Sequence, residues 1–350
     1  MLHLIASLNA AGNHEIDHFL SLARTAERGL LDAVFVDDAL ALRARHGRRA
    51  ADSLEPLTLL AAVATATEHI GLIATASTTF YEPYLLARSL ASLDHISHGR
   101  AGWNIGTGGD LDEAANFHLD EPVEDAVRYE RAAELLDVVT QLWDSWADDA
   151  TAPHSQRSVD PRRIREVEHI GLFFKVRGPL NVRRTPQAWP LLVHQAQPTA
   201  EEAEFAARYA ETVFTTHHDI GVAAAFAREV KARAAAYGRE SHLPLVLPSL
   251  VPAIVSHSGS AERIADVMQQ WVEAGAADGF VIRPQYLPGG LTAFVDQVVP
   301  VLQRRGLFRT AYDGGTLRDR FHLPRPEDHF PLYDRDPLPL PDFAPTLAVA

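Results

Sequence analysis

The sequence predicts a single parallel (β/α)8 barrel, and three observations carry that prediction. Short apolar runs alternate with longer amphipathic ones along most of the chain. About eight such strand-then-helix units can be counted, the number that closes a parallel barrel. The 350 residues are 47% hydrophobic and 22% charged, enough to bury one large core.

The first unit pairs the apolar run Leu2–Leu8 with a helix over Glu15–Arg28. The segment Met1–Asn9 is brief, lacks a basic flank and runs into polar Asn13-His14-Glu15, so it reads as a buried strand and not as a leader. Ala33–Val36 precedes a helix over Glu55–Thr67, and Ile70–Ala76 precedes one over Pro83–His95. Ala101–Ile105 leads to Val127–Trp143, Leu191–Val193 to Ala200–Tyr209, and Thr212–Phe214 to Ile220–Tyr237. Leu245–Val255 with Ala261–Ala274, then Gly279–Ile282 with Leu291–Arg304, complete the ring.

Two stretches break the alternation. Between Trp146 and Leu191 proline, glycine and arginine are frequent, which marks an insertion over 147–189 after the fourth strand, with Ile170–Val176 as a short extra strand. Beyond Phe308 the chain turns proline-rich, as in Pro337-Leu-Pro-Leu-Pro341. The expected division is therefore a barrel domain over 1–310 and an extended C-terminal arm over 311–350, lying on the barrel or on a neighbouring subunit.

Charge and composition exclude several functions. Lys plus Arg total 32 against 46 Asp plus Glu, a formal charge of -14, which is the wrong sign for a nucleic-acid partner. Without cysteine there are no disulfides, thiolate-held zinc, iron–sulfur clusters or thiol nucleophiles, so redox chemistry needs a bound cofactor. No apolar stretch approaches the roughly 18 residues of a membrane span, and a cytoplasmic protein is expected.

In such barrels the working side chains project from the carboxyl ends of the strands. The second strand ends in Asp37-Asp38, the third in Thr75-Ala-Ser77-Thr78-Thr79, and the fourth in Trp103-Asn104 followed by Thr107-Gly108-Gly109. The fifth ends in His194-Gln195, the sixth in Thr215-Thr216-His217-His218-Asp219, and the eighth in Arg283-Pro284. A substrate pocket is expected among Trp103, His194, His217 and Arg283. Each has a second reading: Trp103 as a core aromatic, His194 as a satisfied interior histidine, His217 in a polar helix entry with Asp219 as N-cap, and Arg283 as a surface pair. Catalytic zinc is the rival chemistry, but the ligand pattern is incomplete, and no metal is expected.

Gly99-Arg-Ala-Gly-Trp-Asn104, Asn116-Phe117, Arg128-Tyr-Glu-Arg131 and Leu142-Trp-Asp-Ser-Trp-Ala-Asp-Asp-Ala150 occur in this order. With them stand Thr75–Thr79, Pro83–Arg88, Phe174–Asn181, Glu273–Phe280, Tyr286–Gly290 and Val299–Arg309. Together they resemble the family of nitrilotriacetate monooxygenase, dibenzothiophene-sulfone monooxygenase and pristinamycin synthase, within the bacterial luciferase-like flavin-dependent barrels. The resemblance implies a two-component monooxygenase that takes reduced FMN from a separate flavin reductase and forms a flavin C4a-hydroperoxide with O2. A small organic substrate is then oxygenated in a dry pocket. It also implies a homodimer or homotetramer. Asp38, Thr75, Ser77 and Asn104 match the family's flavin-facing polar residues, and Tyr129 matches its tyrosine near the phosphate or ribityl chain. Arg128 and Thr199 are further candidates at that end. Without the resemblance, Asp38 is equally a helix cap and Thr75 an ordinary β-branched strand residue.

Four positions depart from the family pattern. Asp125 stands where a histidine is usual, four residues before the tyrosine. His194-Gln-Ala-Gln-Pro-Thr199 replaces a Gln-Ala-Gly followed by serines, and Pro198 lacks an N–H donor. The passage from Val251–Val255 to Ser260–Ile264 is direct where a long helical insertion is usual, and the loop around Asn9–Ile16 is short. These departures keep two alternatives open, a non-catalytic paralogue that binds a ligand or partner subunit, and a deazaflavin-dependent relative.

Overall fold

The computed structural model describes residues 1–8, 14–42, 53–151, 159–252 and 260–328. Its framework is the expected closed barrel. β1 (His3–Ser7), β2 (Ala33–Val36), β3 (Gly71–Ser77) and β4 (Ala101–Gly106) are followed by β5 (His169–Ile170) and β6 (Lys175–Val176) outside the ring. The ring resumes with β7 (Leu191–Gln195), β8 (Thr212–Thr215), β9 (Leu245–Leu250) and β10 (Gly279–Ile282). The eight barrel strands are all parallel, and β10 closes onto β1.

Most connections are helical: α1 (Ile16–Arg28), α2 (Pro56–Ala64), α3 (Pro83–Ile96), the short α4 (Leu111–Ala115) and α5 (Asp125–Trp143). α6 (Ala200–Tyr209), α7 (Ile220–Ala236) and α8 (Ser260–Glu273) follow. The last crossover is broken into α9 (Gly289–Ala293), a π turn over Phe294–Val298 and α10 (Val299–Arg304), before α11 (Leu317–Arg320). The expected strand over Leu245–Val255 ends at Leu250, and its last residues, 253–255, lie outside the described residues.

Strand alternation sorts side chains into two layers. Ile5, Phe35, Ile73, Val193, Phe214, Leu247 and Val281 fill the barrel interior. Residues of opposite parity pack outward under the helices, where Leu72, Trp103 and Leu192 are buried.

The amino end of the barrel is plugged by the segment after Phe308. Leu317, Phe321 and Leu323 join the interior cluster, and Gly71 leaves room for Leu317, because a Cβ there would lie 2.5 Å from its Cδ1. Phe321 stacks on His3 at 4.6 Å, and His3 and Arg309 both reach the fully buried Asp32, at 3.2 and 2.5 Å. The barrel core thus extends to Leu323, past the composition boundary at 310. Residues 329–350, with most of the proline-rich run, lie outside the described residues.

The insertion differs in detail from expectation. Ile170–Val176 is not one strand: β5 and β6 pair antiparallel around a turn. The cause is Glu134 on α5, whose carboxylate accepts from the backbone N–H groups of Leu172, Phe173 and Phe174 at 2.9–3.0 Å and pins the turn to the helix.

Candidate active site

The carboxyl end of the barrel is built from the last inward residue of each strand. On β3 and β4 these are Thr75 and Asn104, directly opposite each other in register, then Ser77 opposite Gly106. Asn104 Nδ2 donates to Thr75 Oγ1 at 3.0 Å. Its Oδ1 is buried with no partner, an expensive state for an amide oxygen unless a ligand or water completes it.

A cavity of about 50 Å3 opens beside this pair, lined by Asp38, Thr75, Ser77, Gly106, Gly108 and Glu113. Burial pushes the Asp38 carboxyl up to about 6, against the hydrogen bonds from Ala39 and Ser53, and the nearby Glu55 and Asp37 add to the rise. Asp38 therefore changes from hydrogen-bond donor to acceptor-only near neutrality. Glu113 was missed by sequence reasoning. It sits in the first turn of α4, a five-residue helix with no sequence period to reveal it, and accepts from Leu40 N at 3.2 Å.

On the opposite wall, Arg283 donates through Nε to Ser249 Oγ and through Nη2 to Gln195 Oε1, both at 3.1 Å, with Asp37 Oδ2 at 3.9 Å. Gln195, not its neighbour His194, is the residue that β7 turns into the barrel.

His194 faces outward, which corrects its placement in the substrate pocket. It is 1% exposed; Nδ1 donates to the Ile105 carbonyl at 3.0 Å, and Nε2 is hydrogen-bonded to Glu202 Oε2 at 2.5 Å. Tyr129 Oη donates to the other Glu202 oxygen at 2.8 Å. Burial would raise the Glu202 carboxyl, but the hydrogen bond and charge of His194, with the Tyr129 hydroxyl, hold it below its ordinary value. Burial and the Glu202 charge push the Tyr129 phenol up.

Glu202 itself was missed, because Thr199-Ala-Glu-Glu202 has the spacing of a capping box, where a glutamate turns back on its own helix. Here only half of that box forms. Thr199 Oγ1 accepts from Glu202 N at 3.3 Å and caps α6, while the Glu202 carboxylate goes to His194 and Tyr129. The Thr199 hydroxyl oxygen therefore accepts from its own helix, and its O–H remains able to donate.

Arg128 lies on the same end of α5. It pairs with Asp125 and donates to the Thr107 carbonyl at 3.0 Å, and Gly109 packs directly on its Cδ. Trp103 is fully buried in the outer layer, its indole N–H donating to the Ala76 carbonyl at 3.0 Å and its ring edge-on to Trp143, so it has no face toward the mouth. His217 is half-buried against Phe226 at 4.9 Å, its Nδ1 without a partner, and stands apart from the other candidates. Asp219 is the N-cap of α7, accepting from Val222 N at 2.9 Å.

Among the described residues no group of three or more His, Asp or Glu could hold a metal ion, and no helix is long and apolar enough to cross a membrane. A larger cleft of about 620 Å3, which includes Trp189, Glu211, His242 and Arg318, lies at the opposite end of the strands. It is remote from the carboxyl-end chemistry of a parallel barrel.

Residues 2–295 match the luciferase-like monooxygenase family. Nitrilotriacetate monooxygenase component A of Aminobacter aminovorans is 38% identical over 414 aligned positions, covering 90% of this chain and 91% of that protein. That alignment is longer than the chain, so the relative carries segments absent here. A subunit of the pristinamycin IIA synthase of Streptomyces pristinaespiralis is 32% identical over 332 positions, covering 94% of this chain and 97% of its own. The EDTA monooxygenase structure from Chelativorans sp. BNC1 superposes with a TM-score of 0.85 at 29% identity, covering 93% of this chain and 99% of that one.

Proposed function

The chain belongs to the luciferase-like monooxygenase family, and from that premise we propose that it is the oxygenase of a two-component system. In this reading a separate flavin reductase supplies reduced FMN, and the barrel uses it with O2 to oxygenate a small organic substrate in the cytoplasm. The observation that carries the reading is the buried, unpartnered Asn104 Oδ1 at the barrel mouth, an acceptor in want of a donor such as a flavin ring N–H.

The residues fit a flavin ring. Asn104 Oδ1 would accept from it, while Thr75, Ser77 and Asp38 line the adjoining cavity with hydroxyls and a carboxyl. Reduced flavin supplies the two electrons that let one atom of O2 enter the substrate and the other leave as water. Around it, the chain's own task is to orient and to exclude water. Phe35 and Phe214 close the barrel beneath the mouth, and Arg283, fixed by Gln195 and Ser249, offers the substrate a polar anchor. Asp38 stands where a proton can be held near neutral pH.

A second reading is favoured by Glu202. Its carboxylate occupies the hydrogen-bonding groups of Tyr129 and His194, as a flavin site out of use would allow, and the pristinamycin IIA synthase relative is by its name one part of a multi-subunit enzyme. The test is turnover with a flavin reductase, NADH and 18O2 over a panel of small organic acids, amines and sulfides. Incorporation of one labelled oxygen into any product supports the oxygenase. Absence of product across the panel together with absence of flavin binding supports the second reading, a chain that binds a ligand or partner subunit without flavin chemistry.

A further inference from the structure

Arg283 stands one residue past β10, and the alternation that turns Val281 into the barrel turns Arg283 the same way one layer higher. Gln195 on β7, Ser249 on β9 and Asp37 just beyond β2 share that inward parity with Val193, Leu247 and Phe35. In the ring β7 lies three strands from β10 on one side, and β2 two strands away on the other. A side chain that bonds Gln195 and faces Asp37 therefore spans the mouth. Its guanidinium carbon stands 5.7 Å from the centre of the Phe35 ring, above the aromatic floor that Phe35 forms with Phe214.

Neutral groups hold this cation in place. Ser249 Oγ takes the Nε hydrogen and Gln195 Oε1 takes one on Nη2, each at 3.1 Å. The two bonds orient the guanidinium plane without neutralising it. Among the described residues the one carboxylate within ion-pair range is Asp37, whose Oδ2 is 3.9 Å from Nη1, too far for a hydrogen bond. Arginines that serve the fold are used differently. Arg100 donates five hydrogen bonds, to oxygens of Ser97, Thr67, Ile70 and Ala64, and Arg318 grips the Glu211 carboxylate through both terminal nitrogens. Arg283 is 26% exposed, pre-oriented, and among the described residues its Nη1 has no hydrogen-bond acceptor.

The two oxygens of a carboxylate match a guanidinium edge, and pairing there is charge-assisted. The flavin-facing Asn104 lies on β4, four strands from β10 in a ring of eight and so diametrically across the mouth. A flavin ring held by Asn104 leaves Arg283 on the far wall for a second ligand.

We propose that Arg283 is a carboxylate subsite, so that the small organic substrate is an acid held through its carboxylate by the outer edge of this guanidinium. This rests on the flavin reading above and names the substrate class within it. Asp37 competes with such a ligand for the same cation.

The experiment is isothermal titration calorimetry of the full chain at constant ionic strength with succinate, benzoate and hexanoate, each against its amide. Reduced FMN is titrated anaerobically into the same preparations and followed by tryptophan fluorescence. At least one acid should bind about tenfold or more tightly than its amide. Arg283→Gln should bring acid and amide within about twofold of each other, and Arg283→Lys, which keeps the charge and loses the fork, should retain part of the preference. Asp37→Asn should tighten the acid by about 3–10-fold. Reduced FMN should bind both Arg283 variants within about twofold of the unmodified chain. Acids bound no more tightly than their amides overturn the inference and leave the flavin reading standing. Acid binding unmoved in Arg283→Gln overturns it as well, as does a loss of reduced-FMN affinity of about tenfold or more in both Arg283 variants, which would put the guanidinium against the flavin. An acid preference that depends on Arg283 in a chain that binds no flavin sustains the subsite and removes the flavin reading.

Discussion

Replacing Asn104 by leucine distinguishes a residue kept for a ligand from one kept for the fold. Asn104 is 3% exposed, makes one side-chain hydrogen bond to Thr75, and leaves Oδ1 unpaired. Leucine of similar size surrenders that bond, worth about 0.5–1.5 kcal/mol, and removes an unsatisfied buried acceptor that costs about 1–3 kcal/mol. The ligand-free protein should therefore hold its stability or gain about 1 kcal/mol, which for a chain of this length is about 1–2 °C in Tm. Flavin binding should suffer in the opposite sense. Loss of one buried hydrogen bond worth about 1.4 kcal/mol weakens reduced-flavin binding about tenfold. Differential scanning fluorimetry of the ligand-free chain and an anaerobic flavin titration read the two quantities separately. A Tm lower by more than about 5 °C with an unchanged Kd would refute the reasoning, since it would make Asn104 part of the scaffold.

Other outcomes follow from the same geometry. Asp38, raised from 3.8 to about 6 in the folded chain, favours folding below pH 3.8, an advantage lost as pH rises through about 6; Asp38→Asn should flatten that part of the stability profile and any inflection near pH 6 in flavin binding, read by urea unfolding and titration across pH 4–8. Arg309→Met leaves the buried Asp32 carboxylate with only His3 and the Leu4 backbone N–H and should cost about 3–5 kcal/mol by urea unfolding. Burial raises the Asp32 carboxyl, but His3 and Arg309 outweigh that and hold it low, so its stabilisation is present above pH 3.8 and fades as pH falls through the lower folded value; the variant should lose part of that acid dependence. Phe321→Ala opens a hole beneath the barrel and should cost about 3–5 kcal/mol, with no direct effect on flavin affinity at the far end, both measured on the same preparation.

Much of the barrel was legible because its signal is local and repeated. A run such as Gly279–Ile282 is too short for a helix, and the periodic segment Ala200–Tyr209 is too long for a strand, so the alternation itself fixed the topology. What escaped was set by partners distant in sequence. The β5–β6 hairpin depends on Glu134, some 38 residues before the turn it holds. The plug by Leu317 and Phe321 follows a composition change that suggests an arm, and only packing at the amino end of the barrel, against Gly71 and His3 and within one buried cluster with Ile5 and Ile73, makes it core.

At the site, chemistry was easier to read than direction. Thr75 and Ser77, strand-end residues of inward parity, do line one cavity, with Asn104 bonded to Thr75 beside it; Asp38, of the outward parity, reaches the same cavity from beyond the end of β2. The same parity turns Trp103 and His194 away, one residue from inward-facing Asn104 and Gln195. Counting by twos from Asn104 and Gln195 would have separated them. Glu202 was hidden because its capping-box spacing predicts a different bond from the one it makes.

The central claim, that this barrel mouth binds reduced flavin for oxygenation, is tested most directly by anaerobic titration with FMN in both redox states, each checked by equilibrium dialysis. The account predicts saturable binding of the reduced form, tighter than the oxidised form and weakened in Asn104→Leu. Binding of neither form, or equal binding of both that is indifferent to Asn104, would contradict it.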